Sequence, residues 1–209
     1  MVGPSKSPNQ KEIDRINRIQ REHFDRLYHL FDPPLPAGVP ERLEKIVMAA
    51  AIETGDSVLD VGTGTGILIP IIRQYEPGCT YACDLSEAML RRLKENYSGV
   101  KTIQKDVREL TLPDESLNVV FINACYPNIA DKAGALKNIS RMLKPAGRMI
   151  ISHPLGKAFI DSLRHYSSSS SQRFDGRELA GQAASSLACF ALRTPTRLPP
   201  GAASVRACF

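Results

Sequence analysis

Residues 58–66 read VLDVGTGTG, and the fold turns on that stretch. An apolar run leads into an acidic residue, Asp60. Glycines then come at alternate positions, Gly62, Gly64 and Gly66, before ILIPII opens an apolar helix. A strand, a glycine turn and a helix in that order form the mouth of a nucleotide-binding βαβ unit. Glycine is required where the backbone turns tightly and must lie against a ligand with no Cβ between them. The dinucleotide fingerprint G-x-G-x-x-G needs a third glycine where Ile67 stands, and no Lys-Ser/Thr succeeds it to make a P-loop. The pattern present is D-x-G-x-G-x-G. An ordinary glycine turn in some other α/β protein could carry it, so residues further along the chain must decide.

Four further features lie downstream, in order. CTYACDL (79–85) reads as a second strand ending at Asp84, 22 residues after Gly62. An acidic residue there can accept both hydroxyls of a ribose. VKTIQKDV (100–107) reads as a third strand running into Asp106. LPDESLNVVFINA (112–124) supplies a fourth, and ALKNISRMLKPAGRMIIS (135–152) reads as a helix, a turn and a fifth strand. The strands should fall near residues 57–62, 79–84, 100–104, 117–124 and 147–153. Helices between them imply a parallel sheet with right-handed crossovers. Ligands in such sheets bind at the carboxyl ends of the strands, where Gly62, Asp84, Asp106 and Asn123 all fall.

These five features over roughly residues 40–160 resemble the class I S-adenosylmethionine-dependent methyltransferases, most closely the type 11 group. The resemblance implies an α/β fold, a Rossmann-like doubly wound parallel sheet with helices on both faces. It implies S-adenosylmethionine as cofactor and methyl transfer to an acceptor, expected to be a small molecule, that it does not identify. It assigns Gly62, Gly64 and Gly66 to the cofactor loop and Asp60 to the strand–turn geometry and the cofactor's amino-acid end. Asp84 with Leu85 goes to the ribose, Asp106 to the adenine amino group, the backbone N–H of Val107 to the ring, and Asn123 to the methionine end.

Three departures stand out. Asn118 replaces the usual Asp before the fourth strand. Ala146 replaces the first glycine of the L-K-P-G-G turn, and is strained only if its φ is positive. Both prolines of the N/D-P-P-Y/F motif are missing from Asn123-Ala-Cys-Tyr126, so that match is read as accidental.

A general base is harder to name. His153 ends the fifth strand, and His23 and Tyr28 lie on the N-terminal helix. Each is a weak candidate against a structural role, and methyl transfer can draw most of its rate from positioning, so no metal is required.

The chain of 209 residues divides into three. Residues 1–38 form a Pro/Ser/Lys leader and a helix over about residues 10–31. Ile13, Ile16, Phe24, Leu27, Tyr28 and Phe31 make its apolar stripe, and DPPLPAG ends it. Ile13 and Ile16 read as core. Phe24, Tyr28 and Phe31 read equally as core or as a lid over the cofactor. Residues 39–165 form the cofactor-binding domain. Residues 166–209, rich in Ser, Ala, Pro and Arg, read as a low-complexity, disordered tail. The antiparallel strands expected after the fifth are not legible there, since residues 187–192 offer at most one. The C-terminal strands are therefore expected to be missing or replaced. The fifth strand would then be an exposed edge open to a protein partner.

Composition adds limits. The formal charge of +5 divides into +1 for residues 1–153 and +4 for residues 154–209, so the basic balance belongs mostly to the tail. No basic patch with interleaved aromatics signals nucleic acid. No apolar run reaches the ~20 residues a bilayer needs. The polar N-terminus has no signal-peptide core, so cytoplasm is the default expectation, with an organelle left open. Cys79, Cys83, Cys125, Cys189 and Cys208 lack the spacing of a disulfide framework or a zinc site. Two alternatives stand beside a methyltransferase. One is a methyltransferase-like scaffold or defective isoform, which the tail suggests. The other is a nicotinamide-dependent oxidoreductase, which Ile67 opposes.

Overall fold

The structure, a computed structural model, describes residues 9–155, 188–193 and 204–208. Five parallel strands form its centre: β1 (Ser57–Val61), β2 (Cys79–Asp84), β3 (Lys101–Gln104), β4 (Leu117–Asn123) and β5 (Leu143–His153). They lie in the order β3-β2-β1-β4-β5, so the chain runs outward from β1 to one side and then to the other. The crevice at such a reversal is where open α/β sheets take ligands. Here the glycine turn leaves β1 at that point. The Rossmann-like sheet expected from the alternation of strands and helices is therefore observed.

Period-two alternation divides the core. Leu59, Val61, Val120 and Ile122 pack on one face with Ile139 and Met142 of α5 (Lys132–Met142). Their neighbours Val58, Val119 and Phe121 pack on the other. There they meet Leu43, Ile46 and Val47 of α2 (Val39–Ala49), with Ile72 of α3 (Ile69–Arg73). A central parallel strand is covered on both sides, so its sequence is apolar at consecutive positions.

Local signals set the helix ends. Asn9 caps α1 (Gln10–Leu27) by accepting from Glu12 N–H at 3.0 Å, and a 3-10 turn, Tyr28–Phe31, continues it. Ser86 caps α4 (Glu87–Asn96) through Met89 N–H at 3.1 Å. Asn118 has a structural task, accepting from Ser57 N–H at 3.0 Å and Lys144 Nζ at 2.9 Å. Ala146 has φ 64°, the left-handed conformation its missing glycine would have taken without strain.

Two further strands complete the sheet. β6 (Ala188–Arg193) pairs antiparallel with β5, and β7 (Ser204–Cys208) pairs antiparallel with β6. β5 is therefore paired on one side with β4 and on the other with β6. The expected tail from residue 166 lies outside the described residues apart from these two strands. The leader at residues 1–8 lies outside them too. Among the described residues, no helix is long and apolar enough to cross a membrane.

Candidate active site

A cleft of about 1030 Å³, counted to its open mouth, lies over the carboxyl ends of β1, β2 and β4. Its floor is the glycine turn. Gly62 N–H and Thr63 N–H both donate to the Cys83 carbonyl, at 2.8 and 3.2 Å, which ties the turn to β2. Gly62 has φ 65°, and a Cβ there would run into the Cys125 thiol, so no other residue fits without displacement.

Asp84, at the end of β2, is held by two backbone donors. Gly64 N–H gives to one carboxylate oxygen and Ser86 N–H to the other, each at 2.9 Å. Each oxygen keeps a lone pair, and the orientation is fixed before any ligand arrives. Burial raises the Asp84 pKa, opposed by backbone hydrogen bonding from Ser86, Gly64 and Leu85. Asp60, at the end of β1, accepts from the Thr63 hydroxyl at 2.8 Å. Burial pushes its carboxyl up to about 7, against the Thr63 hydrogen bond and with the nearby Asp84 charge adding to the rise.

The third carboxylate, Asp106, lies just past β3. Burial pushes its pKa up, but hydrogen bonds from Arg108 and Asn17 outweigh that, and it lies below the usual carboxylate range. It opens a short 3-10 turn, Val107–Glu109. As the first residue of that turn, Val107 leaves its own N–H without an intrahelical partner.

Helix α1 and its 3-10 extension roof the cleft. Asn17 Nδ2 donates to Asp106 Oδ2 and Gln20 Nε2 to the Asn128 carbonyl, both at 2.6 Å. The Thr65 hydroxyl donates to the Phe31 carbonyl at 3.0 Å. Asp25 accepts from the Ser86 hydroxyl at 2.6 Å and Ala88 N–H at 3.1 Å, so α1 completes the N-terminus of α4.

Of the residues the sequence pointed to, Asp60, Gly62, Gly64, Asp84, Leu85, Asp106, Val107 and Asn123 line this one cleft. Gly66 does not. It packs behind the turn against Leu93 and Tyr97. Asn123 accepts from the buried Ser152 hydroxyl at 3.0 Å. Phe24 and Phe31 face the cleft, whereas Ile13 is core and Ile16 is half-buried. The candidate bases are not brought there. His153 lies off the cleft, accepts from Leu155 N–H at 3.1 Å, and is pushed down to about 4 by burial. His23 is exposed, and Tyr28 turns to the groove between α1 and α4 with Asp32 and Arg92. Sequence reasoning missed Asn17 and Gln20. Their signal was two carboxamides inside the stripe that also carries Ile13 and Phe24.

Residues 59–151 match the methyltransferase domain family, type 11. Over that stretch the chain is similar to class I S-adenosylmethionine-dependent methyltransferase domains. A ubiquinone/menaquinone biosynthesis C-methyltransferase of Vibrio campbellii is 29% identical to it over 133 residues, 59% of this chain and 51% of that one. The Vibrio vulnificus protein of the same name is 35% identical over 105 residues, 46% of this chain and 40% of its own. The chain spans about half the length of the curated relatives it matches. The crystal structure of a SAM-dependent methyltransferase from Aquifex aeolicus superposes with a TM-score of 0.53. It has 23% identity and covers 62% of this chain and 72% of that one, a likeness of fold. The cofactor of that family is S-adenosylmethionine.

Proposed function

We propose that the chain binds S-adenosylmethionine in this cleft and transfers its methyl group to an apolar small molecule. The observation that carries the reading is Asp84, held by Gly64 and Ser86 N–H groups with both oxygens available to a ribose diol. Charge supports it. Three carboxylates, Asp60, Asp84 and Asp106, line the cleft. A ligand bearing a sulfonium and an ammonium suits such a surface, and a dinucleotide pyrophosphate does not. In this reading Asp60 faces the amino-acid end, Val107 N–H the adenine ring, and Asn123 the methionine end.

Phe24, Phe31, Ile67 and Met89 line the cleft as apolar groups, and in this reading the acceptor lies beside them. Intermediates of ubiquinone or menaquinone biosynthesis are the first class to test, because the matched relatives carry that name. Transfer is an in-line displacement at the methyl carbon. Bound in the cleft, S-adenosylmethionine would supply an electrophilic methyl group and depart as S-adenosylhomocysteine, and an acceptor attacking through a protonated atom would give up that proton to solvent. The chain's task is to hold donor and acceptor aligned and dry. Binding without turnover is a second reading, favoured by the position of His153, His23 and Tyr28 away from the cleft lining.

Calorimetric titration with S-adenosylhomocysteine, with NAD as control, tests the proposal. Micromolar binding of the first alone is expected. A folded chain that binds neither, or binds NAD alone, would overturn it. Methyl transfer from labelled cofactor to an acceptor panel then separates turnover from binding.

A further inference from the structure

Ser86 is gripped by carboxylates from two different elements. Its N–H donates to Asp84 Oδ1 at 2.9 Å, and its hydroxyl donates to Asp25 Oδ1 of α1 at 2.6 Å. The same hydroxyl accepts from Met89 N–H at 3.1 Å, so its one proton and one of its lone pairs are in use. Ser86 is fully buried. Its hydroxyl proton therefore needs a partner within the protein, and a buried donor left without one costs free energy. Asp25 is the partner the structure gives it. Asp25 Oδ1 also accepts from Ala88 N–H at 3.1 Å, an amide in the first turn of α4 with no acceptor inside the helix. One oxygen on the roof thus holds the junction between β2 and α4 at two points.

Asp84 lines the cleft, whereas Asp25 is not among the lining residues. We propose that Asp25 is a positioning residue for the cofactor: acting through Ser86, it holds Asp84 in the orientation that receives the ribose diol. This rests on the cofactor reading above and adds a residue to it. With α1 docked, the serine is locked, and so is the donor it presents to Asp84 Oδ1. With α1 lifted, the serine loses its anchor, and Gly64 N–H is the donor that still holds Asp84 in place. Recognition of the diol then depends on the roof, and by linkage the diol holds the roof down by the same factor.

The probes are S-adenosylhomocysteine and its 2′-deoxy analogue, which lacks one of the two hydroxyls, each titrated calorimetrically into the full chain. Wild type should bind the parent compound at least about tenfold more tightly. In Asp25→Ala that preference should shrink by at least about threefold, because Asp84 is less firmly held. The readout is a ratio within one variant, so a general loss of affinity from a loosened roof cancels. If Asp25→Ala does not fold, Asp25→Leu carries the same expectation, being close to Asp in shape and without an acceptor. Asp25→Asn keeps an oxygen where Oδ1 stands, and one oxygen accepts both bonds, so its preference should return to within about twofold of wild type. A wild-type preference in a folded Asp25→Ala, or a reduced one in Asp25→Asn, would overturn the inference and leave the cofactor reading standing. Wild type that binds both compounds equally would overturn the inference together with the ribose role of Asp84. Wild type that binds neither would overturn the inference and the whole cofactor reading.

Discussion

Two carboxylates in one cleft are held by different partners, and burial raises both. Asp84 takes two backbone N–H donors, while Asp60, 2% exposed, has the Thr63 hydroxyl. Removing Asp84 with Asp84→Ala should leave the fold intact and weaken S-adenosylhomocysteine by roughly 1.5–3 kcal/mol, the worth of charge-assisted hydrogen bonds. Calorimetry beside a thermal melt separates the two effects. Asp60 gives a pH dependence. With its pKa raised to about 7, it is largely protonated in the empty protein below neutrality. A ligand ammonium favours the carboxylate, so binding at pH 6 should release a proton. Affinity should climb from pH 6 to 8, and titrations in two buffers of different ionisation heat would register that proton. The sign for folding is opposite. The native state keeps a proton that the unfolded chain loses near pH 4, so Asp60 costs stability as pH rises from about 4 to about 7. Asp60→Asn should flatten both trends, and a binding curve that stays steep in that variant would remove Asp60 from the site.

The elements were legible where their signals are local. Alternating apolar residues, the cap at Ser86 and the glycine turn act over a few positions, and the first four strands begin and end within a residue of where the pattern put them. β5 begins earlier, at Leu143, because pairing shifts register between Leu117–Leu143 and Val119–Arg148. No apolar pattern announces such an irregularity. Ala146 lies inside it with φ 64°. Ala146→Gly should therefore raise stability by about 1 kcal/mol, the left-handed cost of a Cβ less glycine's extra chain entropy. A urea midpoint that does not move, or that falls, would mean that the backbone there relaxes. Which face of α1 meets the cleft was harder to read. Its stripe marks a covered side, but whether core or ligand covers it depends on segments up to 108 residues away. Hence Asn17 and Gln20 escaped notice, and His153, rightly placed at a strand end, turned out to face elsewhere.

At the scale of the whole molecule, the roof and the sheet share their hydrogen bonds. Ligand binding should therefore tighten both, and hydrogen exchange should show α1 amides slowed by S-adenosylhomocysteine as strongly as those of the glycine turn. Unchanged exchange in α1 would detach it from the site. The same bonds bear on how the chain reaches this state. Those from Asp25 to Ser86, Asn17 to Asp106 and Gln20 to Asn128 span 61, 89 and 108 residues. Local contacts form early and distant ones wait for loop closure. During synthesis α1 leaves the ribosome ahead of every other described element, yet it finds its partners only after β2, β3 and β4 have emerged. The first helix made then waits for residue 128 before it can dock fully, and until it does, the apolar wall of the cleft stands open to chaperones and to neighbouring chains.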